Sequence, residues 1–137
     1  MRVDGQGRPL RYLLTPGQRS DQKGFSPLVE DFKVATGEPG RPRSRPRKIV
    51  ADKGYRARAN RHILRRRGIG CVIPWARNQR RRGPFDREAY RQRNQVERFF
   101  ARIKHFRRIA TRYEKLAQHY LAMVTLASIV IWLRELA

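Results

Sequence analysis

Positive charge is the feature that most constrains how this chain can fold. Its 137 residues include 33 Lys and Arg against 11 Asp and Glu, which gives a formal net charge of +22. A surplus of this size repels itself in a compact state unless a polyanion lies nearby. Nucleic acid is the expected counterpart, because each phosphate contact releases condensed counterions. An anionic membrane surface and ribosomal RNA are alternative polyanions, and charge alone does not choose among the three.

The rest of the composition predicts one modest domain or a piece of a larger one. Hydrophobic residues make up 39% of the chain, which is enough to build a core. The single cysteine, Cys71, excludes an intramolecular disulfide and fits a reducing cytosol. Its apolar neighbours predict a buried, inert thiol. The polar and basic N-terminus shows no signal-peptide pattern, so we expect a cytoplasmic, nucleoid-associated protein.

One apolar segment near the C-terminus raises the question of a membrane span. Residues 116–133 contain no Asp, Glu, Lys or Arg, and their length is borderline for crossing a bilayer. Gln118, His119, Thr125 and Ser128 interrupt the segment. We therefore expect a buried core helix over residues 115–135 and no membrane partner.

The other segments alternate between strand and helix patterns. A turn over residues 4–7 precedes a strand over 10–15, and helical spacing follows over 26–34. Residues 36–47 are rich in Pro, Gly and Arg, which predicts a loop able to lie along DNA. Further along, the predicted elements are a strand over 48–51, a helix over 57–67 that Gly68 and Gly70 close, a strand over 71–73 and an Arg-rich loop over 76–84. Two helices follow, one over 86–106 with Asp86 as its N-cap and one over 115–135. This order predicts an α/β sheet with flanking helices.

Asp52 is the first candidate for a chemical role. It follows the apolar run Ile49-Val50-Ala51 and opens a Gly-containing turn. Ligands of open α/β sheets bind outside the carboxyl ends of the strands, which is where this carboxylate falls. The alternative is a turn Asp that caps the next helix, and the local pattern by itself favours that interpretation.

The predicted helix over residues 86–106 carries a polar stripe and an apolar arc. At roughly 100° per residue, four polar side chains fall within about 60° of one another. They are Tyr90, Arg93, Glu97 and Lys104. The separate apolar arc consists of Val96, Phe99, Phe100, Ile103 and Phe106. Periodicity alone favours an ordinary amphipathic helix with solvated ion pairs.

Spacing changes that interpretation. The run Tyr90-(2)-Arg93-(3)-Glu97-(6)-Lys104 reproduces the Y-(2)-R-(3)-E-(6)-K signature of the DDE transposases of bacterial insertion sequences. Its neighbourhood, RNQVERFFARIKHFRRIATRYEKLAQHYLAMVTLASIVIWL, also resembles that family, as does ADKGYRARANRHILRRRGIGCVIP. The opening segment, VDGQGRPLRYLLTPGQRSD, is similar to the early hairpin of the family's catalytic domain. The resemblance covers nearly the whole chain and is weakest in residues 36–47.

The resemblance implies an RNase H-like α/β catalytic domain that binds two divalent ions, Mg²⁺ or Mn²⁺, through three acids. By position, Asp52 matches the second acid and Glu97 the third. The resemblance places Arg93 and Lys104 against DNA near the reacting phosphate, with Tyr90 packed or hydrogen-bonded beside it. The further DNA-binding candidates are Lys53, Trp75, Arg80, Arg81, Arg82, Arg107 and Arg108. The expected partners are transposon ends and target DNA, with no small-molecule substrate.

This sequence departs from the family at the first acid. That residue belongs on a first strand with an Asp-Ser-Thr-like context, and no such segment occurs here. Asp4 aligns with the hairpin turn, one strand later, and should be a turn residue. We therefore expect an N-terminally truncated domain that is inactive alone and binds two ions only when an N-terminal half or full-length transposase supplies the missing Asp. Three origins would explain such a sequence: the remnant of a truncated element, a reading frame that starts at an internal Met of an intact gene, and the downstream frame of an element that joins two frames by ribosomal frameshifting.

Other residues leave alternatives open. Trp75 either stacks on an extruded base or fills the edge of the core, and Trp132 is expected to pack. His62, His105 and His119 lack partners at metal-ligand spacing. Two other functions compete with transposition: a non-catalytic DNA-binding fragment that modulates full-length transposase, and a ribosomal-type RNA-binding protein.

Overall fold

The computed structural model describes residues 1–16, 18, 20–30, 32–33, 39–80, 83–111 and 114–136. The chain forms two compact units with a mixed α/β composition. The first unit combines Met1–Leu14 with Asn94–Ala137, and the second is Thr15–Arg93. Each has its own buried hydrophobic cluster.

The first unit begins with a short antiparallel hairpin of β1 (Arg2–Val3) and β2 (Pro9–Arg11). Asp4 organises its turn, because Asp4 Oδ1 accepts hydrogen bonds from the backbone N–H groups of Gln6 and Arg8 at 2.9 Å. Its Oδ2 accepts from Arg8 Nε at 2.7 Å. The predicted turn is therefore present, and Asp4 is one of its residues.

Strand β2 is shorter than the predicted strand over residues 10–15. Its last paired residue is Arg11, which lies opposite Arg2. Leu13 and Leu14, which follow the strand, are exposed.

The helices of the first unit are α4 (Asn94–Ile103), α5 (Arg107–Ala110) and α6 (Ala117–Leu136). Their shared core consists of Phe99, Ile103, Ile109, Val124, Ala127 and Ile131. The hairpin contacts α6 directly: Trp132 Nε1 donates to Pro9 O at 3.1 Å, and the hydroxyls of Tyr12 and Ser128 are hydrogen-bonded. Burial raises the pKa of Tyr12. Trp132 is thus a packing residue with a polar contact.

The predicted core helix is present as α6, and only one of its faces is buried. Val124, Ala127, Ser128 and Ile131 face the core, whereas Leu126 and Leu133 are 58% and 60% exposed. The short hairpin and the helices α4 and α5 offer too little surface to cover a 20-residue helix on both sides. In the part of the chain that the structure describes, no helix combines the length and hydropathy needed to cross a membrane.

The second unit is built on a β-α-β arrangement. Strand β3 (Lys48–Val50) and strand β4 (Gly70–Val72) pair in parallel, with Val50 opposite Val72, and α2 (Arg58–Arg66) connects them. A core of Phe25, Val29, Leu64, Ile69 and Ile73 joins α2 to α1 (Phe25–Val29). Helix α1 is shorter than the predicted helix over residues 26–34, because Glu30 turns to an extended conformation with ψ 162°. Residues 31 and 34 of the predicted helix, and residues 36–38 of the predicted loop, lie outside the described residues.

Helix α2 ends as its glycine predicts. Gly68 has φ +64°, and its N–H donates to Arg65 O at 3.0 Å while Ile69 N–H donates to Leu64 O at 2.9 Å. This pair of hydrogen bonds is a Schellman motif, which requires a left-handed residue at that position. The glycine thereby turns the chain from α2 into β4.

Arg61 fixes the end of β4 to α2. Its Nη2 donates to Ile73 O at 2.8 Å and to Pro74 O at 3.0 Å. The guanidinium carbon also lies 3.6 Å from the centroid of the Trp75 ring. We call this set of contacts the Arg61 clamp.

Cys71 is exposed, which corrects the prediction of a buried thiol. The pattern of apolar neighbours failed because a two-stranded sheet is too narrow to shield both of its faces. Partial burial of the sulfur nevertheless raises the pKa of the Cys71 thiol, against an opposing effect of Arg61. A raised pKa leaves less thiolate at neutral pH, as expected for an unreactive thiol.

The predicted single helix over residues 86–106 is two helices, and this prediction is corrected. Helix α3 (Arg87–Arg91) ends where Gln92 N donates to Ala89 O and Arg93 N donates to Tyr90 O, both at 3.1 Å. These bonds span three residues instead of four, so the α-helical ladder stops there. Helix α4 then begins at Asn94. The polar stripe, which assumed one continuous helix, loses its geometric basis.

We predict that Gly68→Ala lowers the free energy of unfolding by about 1 kcal/mol or more, because alanine is strained at positive φ. Gly68→Asn should cost less, since Asn tolerates the left-handed region. Gly5→Ala is the matched control, because a Cβ there meets nothing within 4 Å. Chemical denaturation of the three variants tests this, and equal losses for Gly68→Ala and Gly5→Ala would contradict it.

We predict that Arg61→Ala destabilises the second unit by about 2 kcal/mol, because two carbonyls lose a charged donor and Trp75 loses its stacked cation. Arg58→Ala removes the same charge from an exposed position of the same helix and should stay within about 0.5 kcal/mol of the unmodified chain. Thermal unfolding followed by circular dichroism measures both. A similar shift in the two variants would mean that the clamp contributes little.

Candidate active site and nucleic-acid interface

Asp52 lies directly beyond the carboxyl end of β3 and holds a tight turn. It is the N-cap of a 3-10 helix over Lys53–Tyr55, where its Oδ1 accepts from Gly54 N at 2.8 Å. A Cβ on Gly54 would lie 2.9 Å from the same oxygen, which explains the glycine at this position. The residue is exposed, so its carboxylate is accessible. Asp52 therefore caps the 3-10 helix that directly follows it, whereas the N-cap of α2 is Ala57, which makes no side-chain cap hydrogen bond. The turn role of Asp52 leaves room for a second role.

The parallel pairing brings the continuation of β4 to the same edge of the sheet. Since Val50 pairs with Val72, Asp52 and Pro74 each lie two residues beyond the last paired position. Trp75 follows, half-buried, with one ring face covered by Arg61. A nucleic-acid base could stack only on the other face or after displacing the guanidinium. The clamp was not visible in the sequence, because nothing in the pattern pairs residue 61 with residue 75.

The residues around α3 form a local cluster in the second unit. Asp86 caps α3 by accepting from Ala89 N at 2.8 Å, and its Oδ2 lies 3.1 Å from Lys48 Nζ. The hydrogen bond from Ala89, followed by that from Lys48, lowers the pKa of Asp86. Arg93 Nη1 donates to the Tyr90 hydroxyl at 3.2 Å. The structure thus brings together Tyr90 and Arg93 of the signature.

Glu97 and Lys104 belong to the first unit. Glu97 is exposed in the first turn of α4, where the helix dipole favours a carboxylate. Phe99 and Ile103 are buried on the opposite side of the helix. Lys104 is exposed immediately after the helix, and Arg107 and Arg108 are exposed on α5.

The two acids lie in different units, Asp52 in the second and Glu97 in the first, and a shared metal site stays a prediction. Among residues 1–136, outside the gaps given above, no three His, Cys, Asp or Glu side chains converge as a metal site would require. The donors themselves fit the expected ion, since Mg²⁺ prefers carboxylate oxygens and needs few protein ligands.

The remaining basic candidates are placed as follows. Lys53 and Arg80 are exposed, whereas Arg81 and Arg82 lie outside the described residues. Among the three histidines, for which no metal site was predicted, His119 Nδ1 lies 3.7 Å from Glu114 Oε2. Arg41, Arg43, Arg45 and Arg47 line a cleft in the second unit. The predicted loop over residues 36–47 contains them, and the alternation of Arg with Pro or Ser is the signal in the sequence for this surface.

Comparison with known proteins agrees with these observations. The family model described as "Transposase DDE domain" matches residues 1–132. The transposase assigned to insertion sequence element IS402 of Burkholderia cepacia is 34% identical over 129 residues, which are 94% of this chain and 59% of that protein. The one assigned to IS6501 of Brucella ovis is 32% identical over 133 residues, covering 96% and 94% of the two chains.

The chain thus spans about three fifths of the IS402 relative. No solved structure matches the chain at a significant level. The family model, however, extends over most of the sequence, from the hairpin through α6 to residue 132. On this evidence the chain belongs to the transposase DDE domain family.

Proposed function

We propose that this chain is part of a transposase that cleaves DNA at the ends of an insertion sequence and joins those ends to a target. The observation that carries the proposal is the position of Asp52. It is an exposed acid at the carboxyl edge of a parallel β-α-β unit, within a chain whose family-model match runs from residue 1 to 132. The net charge of +22 fits a DNA substrate.

Asp52 and Glu97 are the proposed metal ligands, in an RNase H-like arrangement. Asp52 is held by its own turn, since Gly54 N donates to Oδ1, and this fixes the carboxylate against the sheet edge. Glu97 extends from the first turn of α4, whose opposite side is buried. Both carboxylates supply hard oxygen donors for Mg²⁺ or Mn²⁺.

A third acid is needed, and we propose that another polypeptide segment supplies it. Asp4 is committed to the hairpin turn through three hydrogen bonds. In the described part of the chain, no cluster of three candidate ligands is present. The expected partner is the N-terminal half of the transposase or a full-length copy, and the chain alone is expected to be inactive.

The proposed reaction is two phosphoryl transfers without a covalent enzyme intermediate. Water first displaces the 3′ oxygen of the element from phosphorus, which leaves a 3′-hydroxyl on the element and a 5′-phosphate on the flanking DNA. That hydroxyl then displaces the 3′ oxygen of a target phosphodiester, so that one bond forms as one breaks. Divalent ions held by Asp52, Glu97 and the third acid would activate the attacking oxygen and stabilise the leaving oxygen.

The basic residues hold the DNA in this proposal. The hydrogen bond between Arg93 and the Tyr90 hydroxyl orients a guanidinium that can bind a phosphate through two N–H groups. Lys104 supplies a second cation from the end of α4. Lys53, Arg80, Arg107 and Arg108 are exposed and add phosphate contacts, with Arg81 and Arg82 in the same role, and Trp75 offers its uncovered face to a base.

A second candidate is a non-catalytic DNA-binding fragment that modulates full-length transposase. The lack of a three-ligand cluster among the described residues favours it. A ribosomal-type RNA-binding role has no comparable support, because the family match concerns transposases.

We predict that Asp52→Asn and Glu97→Gln each abolish Mg²⁺-dependent cleavage when the chain is co-expressed with the upstream part of a related transposase, while DNA binding survives. Each change removes an anionic oxygen ligand but no phosphate contact. Asp86→Asn is the matched control, because Asp86 caps α3 and is not a proposed ligand. Cleavage of end-containing plasmid and gel-shift binding are the two readouts.

Three outcomes would contradict parts of the proposal. Retained cleavage in either ligand variant would remove that acid from the metal site. Equal loss in Asp86→Asn would indicate a general defect of folding. Nicking by the purified chain alone would show that another acid, such as Asp4 or Asp21, completes the site.

A further inference from the structure

Residues 41–47, which we call the basic strap, have the sequence Arg-Pro-Arg-Ser-Arg-Pro-Arg. All four arginines are exposed. Together with Gly68 the strap lines an open cleft of about 510 Å³, and every charged residue in that lining is an arginine. Four guanidinium groups and no carboxylate in one cleft indicate a surface for an anionic partner.

The strap is anchored at one end to the second unit. Arg47 O accepts from Gly70 N at 2.9 Å, and Arg45 Nη1 donates to Arg67 O at 3.2 Å. Strand β3 begins at the next residue, Lys48, which pairs with Gly70. The strap therefore meets the amino end of the parallel sheet, whereas Asp52 lies beyond its carboxyl end. It is a separate surface from the proposed metal site.

The backbone of the strap is thin and restricted. Pro42 and Pro46 fix their own φ near −65° and bias the preceding residues toward extended conformations. The chain bends at Arg45 and Arg47. A straight polyproline II segment, which rises 3.1 Å per residue, sets the upper limit of the span at roughly 19 Å, or about five to six base pairs of B-DNA. A segment of this width fits a minor groove about 6 Å wide, which is too narrow for a helix.

The choice of side chain points to the same groove. All four basic residues are Arg and none is Lys. A guanidinium is more weakly hydrated than an ammonium group, so it loses less on entering a confined site. Narrow A·T-rich minor grooves carry enhanced negative potential and attract inserted arginines, as extended arms of other DNA-binding proteins do. Duplex RNA offers a wide, shallow minor groove instead.

We propose that the basic strap binds the minor groove of A·T-rich B-DNA, as a DNA contact separate from the catalytic edge. The inference rests on the proposed function only in assuming a DNA partner. Arg41 and Arg43 enter the groove. Arg45 and Arg47 hold the strap to the fold.

The test measures binding of the full chain to short duplexes in EDTA, so that no metal chemistry contributes. Three duplexes share flanks and differ in a central tract of about six pairs: A·T, G·C, or inosine·C. Inosine lacks the 2-amino group of guanine, so the third duplex has the major-groove pattern of G·C and the minor-groove pattern of A·T. The variants are Arg41→Lys/Arg43→Lys and, as a charge-removing comparison, Arg41→Ala/Arg43→Ala.

We expect the unmodified chain to bind the A·T and inosine·C duplexes about tenfold more tightly than G·C. The double Lys variant should keep the salt dependence of binding and lose most of this preference. The double Ala variant should lose the preference. Its affinity should also fall less steeply as the salt concentration rises, because two charges able to contact phosphates are gone. Circular dichroism verifies that both variants fold, and Arg58→Ala/Arg65→Ala removes two charges from α2 as the control that keeps the preference.

Equal binding to all three duplexes, or inosine·C binding that follows G·C, would overturn minor-groove recognition. A Lys variant that keeps the preference would also overturn it. Failure of the chain to bind any duplex would refute both this inference and the proposed function. Binding without an A·T preference would refute this inference alone.

Discussion

The parallel pairing of β3 with β4 is the contact on which the rest of the second unit depends. It joins segments more than 20 residues apart and fixes Val50 opposite Val72. That register sets which residues emerge at each edge of the sheet. Asp52 and Trp75 follow the carboxyl ends, and the basic strap enters at the amino end. Two surfaces with different chemistry thus arise from one pairing.

The pairing itself depends on how α2 is attached, since a two-stranded sheet is marginal by itself. Leu64 is fully buried between α2 and the core. Gly68 turns the helix into β4, and the Arg61 clamp ties the far end of β4 back to the same helix. Helix α2 therefore holds both ends of the strand, which compensates for the small sheet.

The excess of arginine is partly used inside the fold. Eleven acids cannot pair with 33 bases, and in the second unit several guanidinium groups donate to backbone carbonyls instead. The acceptors are Arg67 O for Arg45, Lys53 O for Arg56, Ile73 O and Pro74 O for Arg61, and Val29 O for Arg67. Such bonds satisfy loop and helix-end carbonyls without a carboxylate, so the side chains stabilise the fold and keep their positive charge.

The sequence could predict the features that depend on local signals, and it could not predict those that depend on tertiary contacts. Glycine and cap signals are local, so the end of α2 at Gly68 and the cap at Asp86 were readable, as were β3 and β4 from their short apolar runs. The break between α3 and α4 depends on a change in hydrogen-bond span at Gln92, which apolar periodicity does not record. The exposure of Cys71 and the Arg61–Trp75 stack depend on tertiary neighbours. A basic residue in a sequence carries no mark of whether its partner is a carbonyl or a phosphate.

The same charges link folding to ligand binding. Arginines that donate to carbonyls still repel one another and the exposed bases around them, and this repulsion lowers the stability of the compact state. A polyanion that binds the folded chain removes part of the repulsion and adds its own binding free energy to stability. Because the strap and the edge that carries Asp52, the proposed metal ligand, lie at opposite ends of one parallel pair, DNA bound at either surface would stabilise the β-α-β unit that builds both. In a chain with +22 net charge, nucleic acid is thus the proposed substrate and is also expected to stabilise the fold.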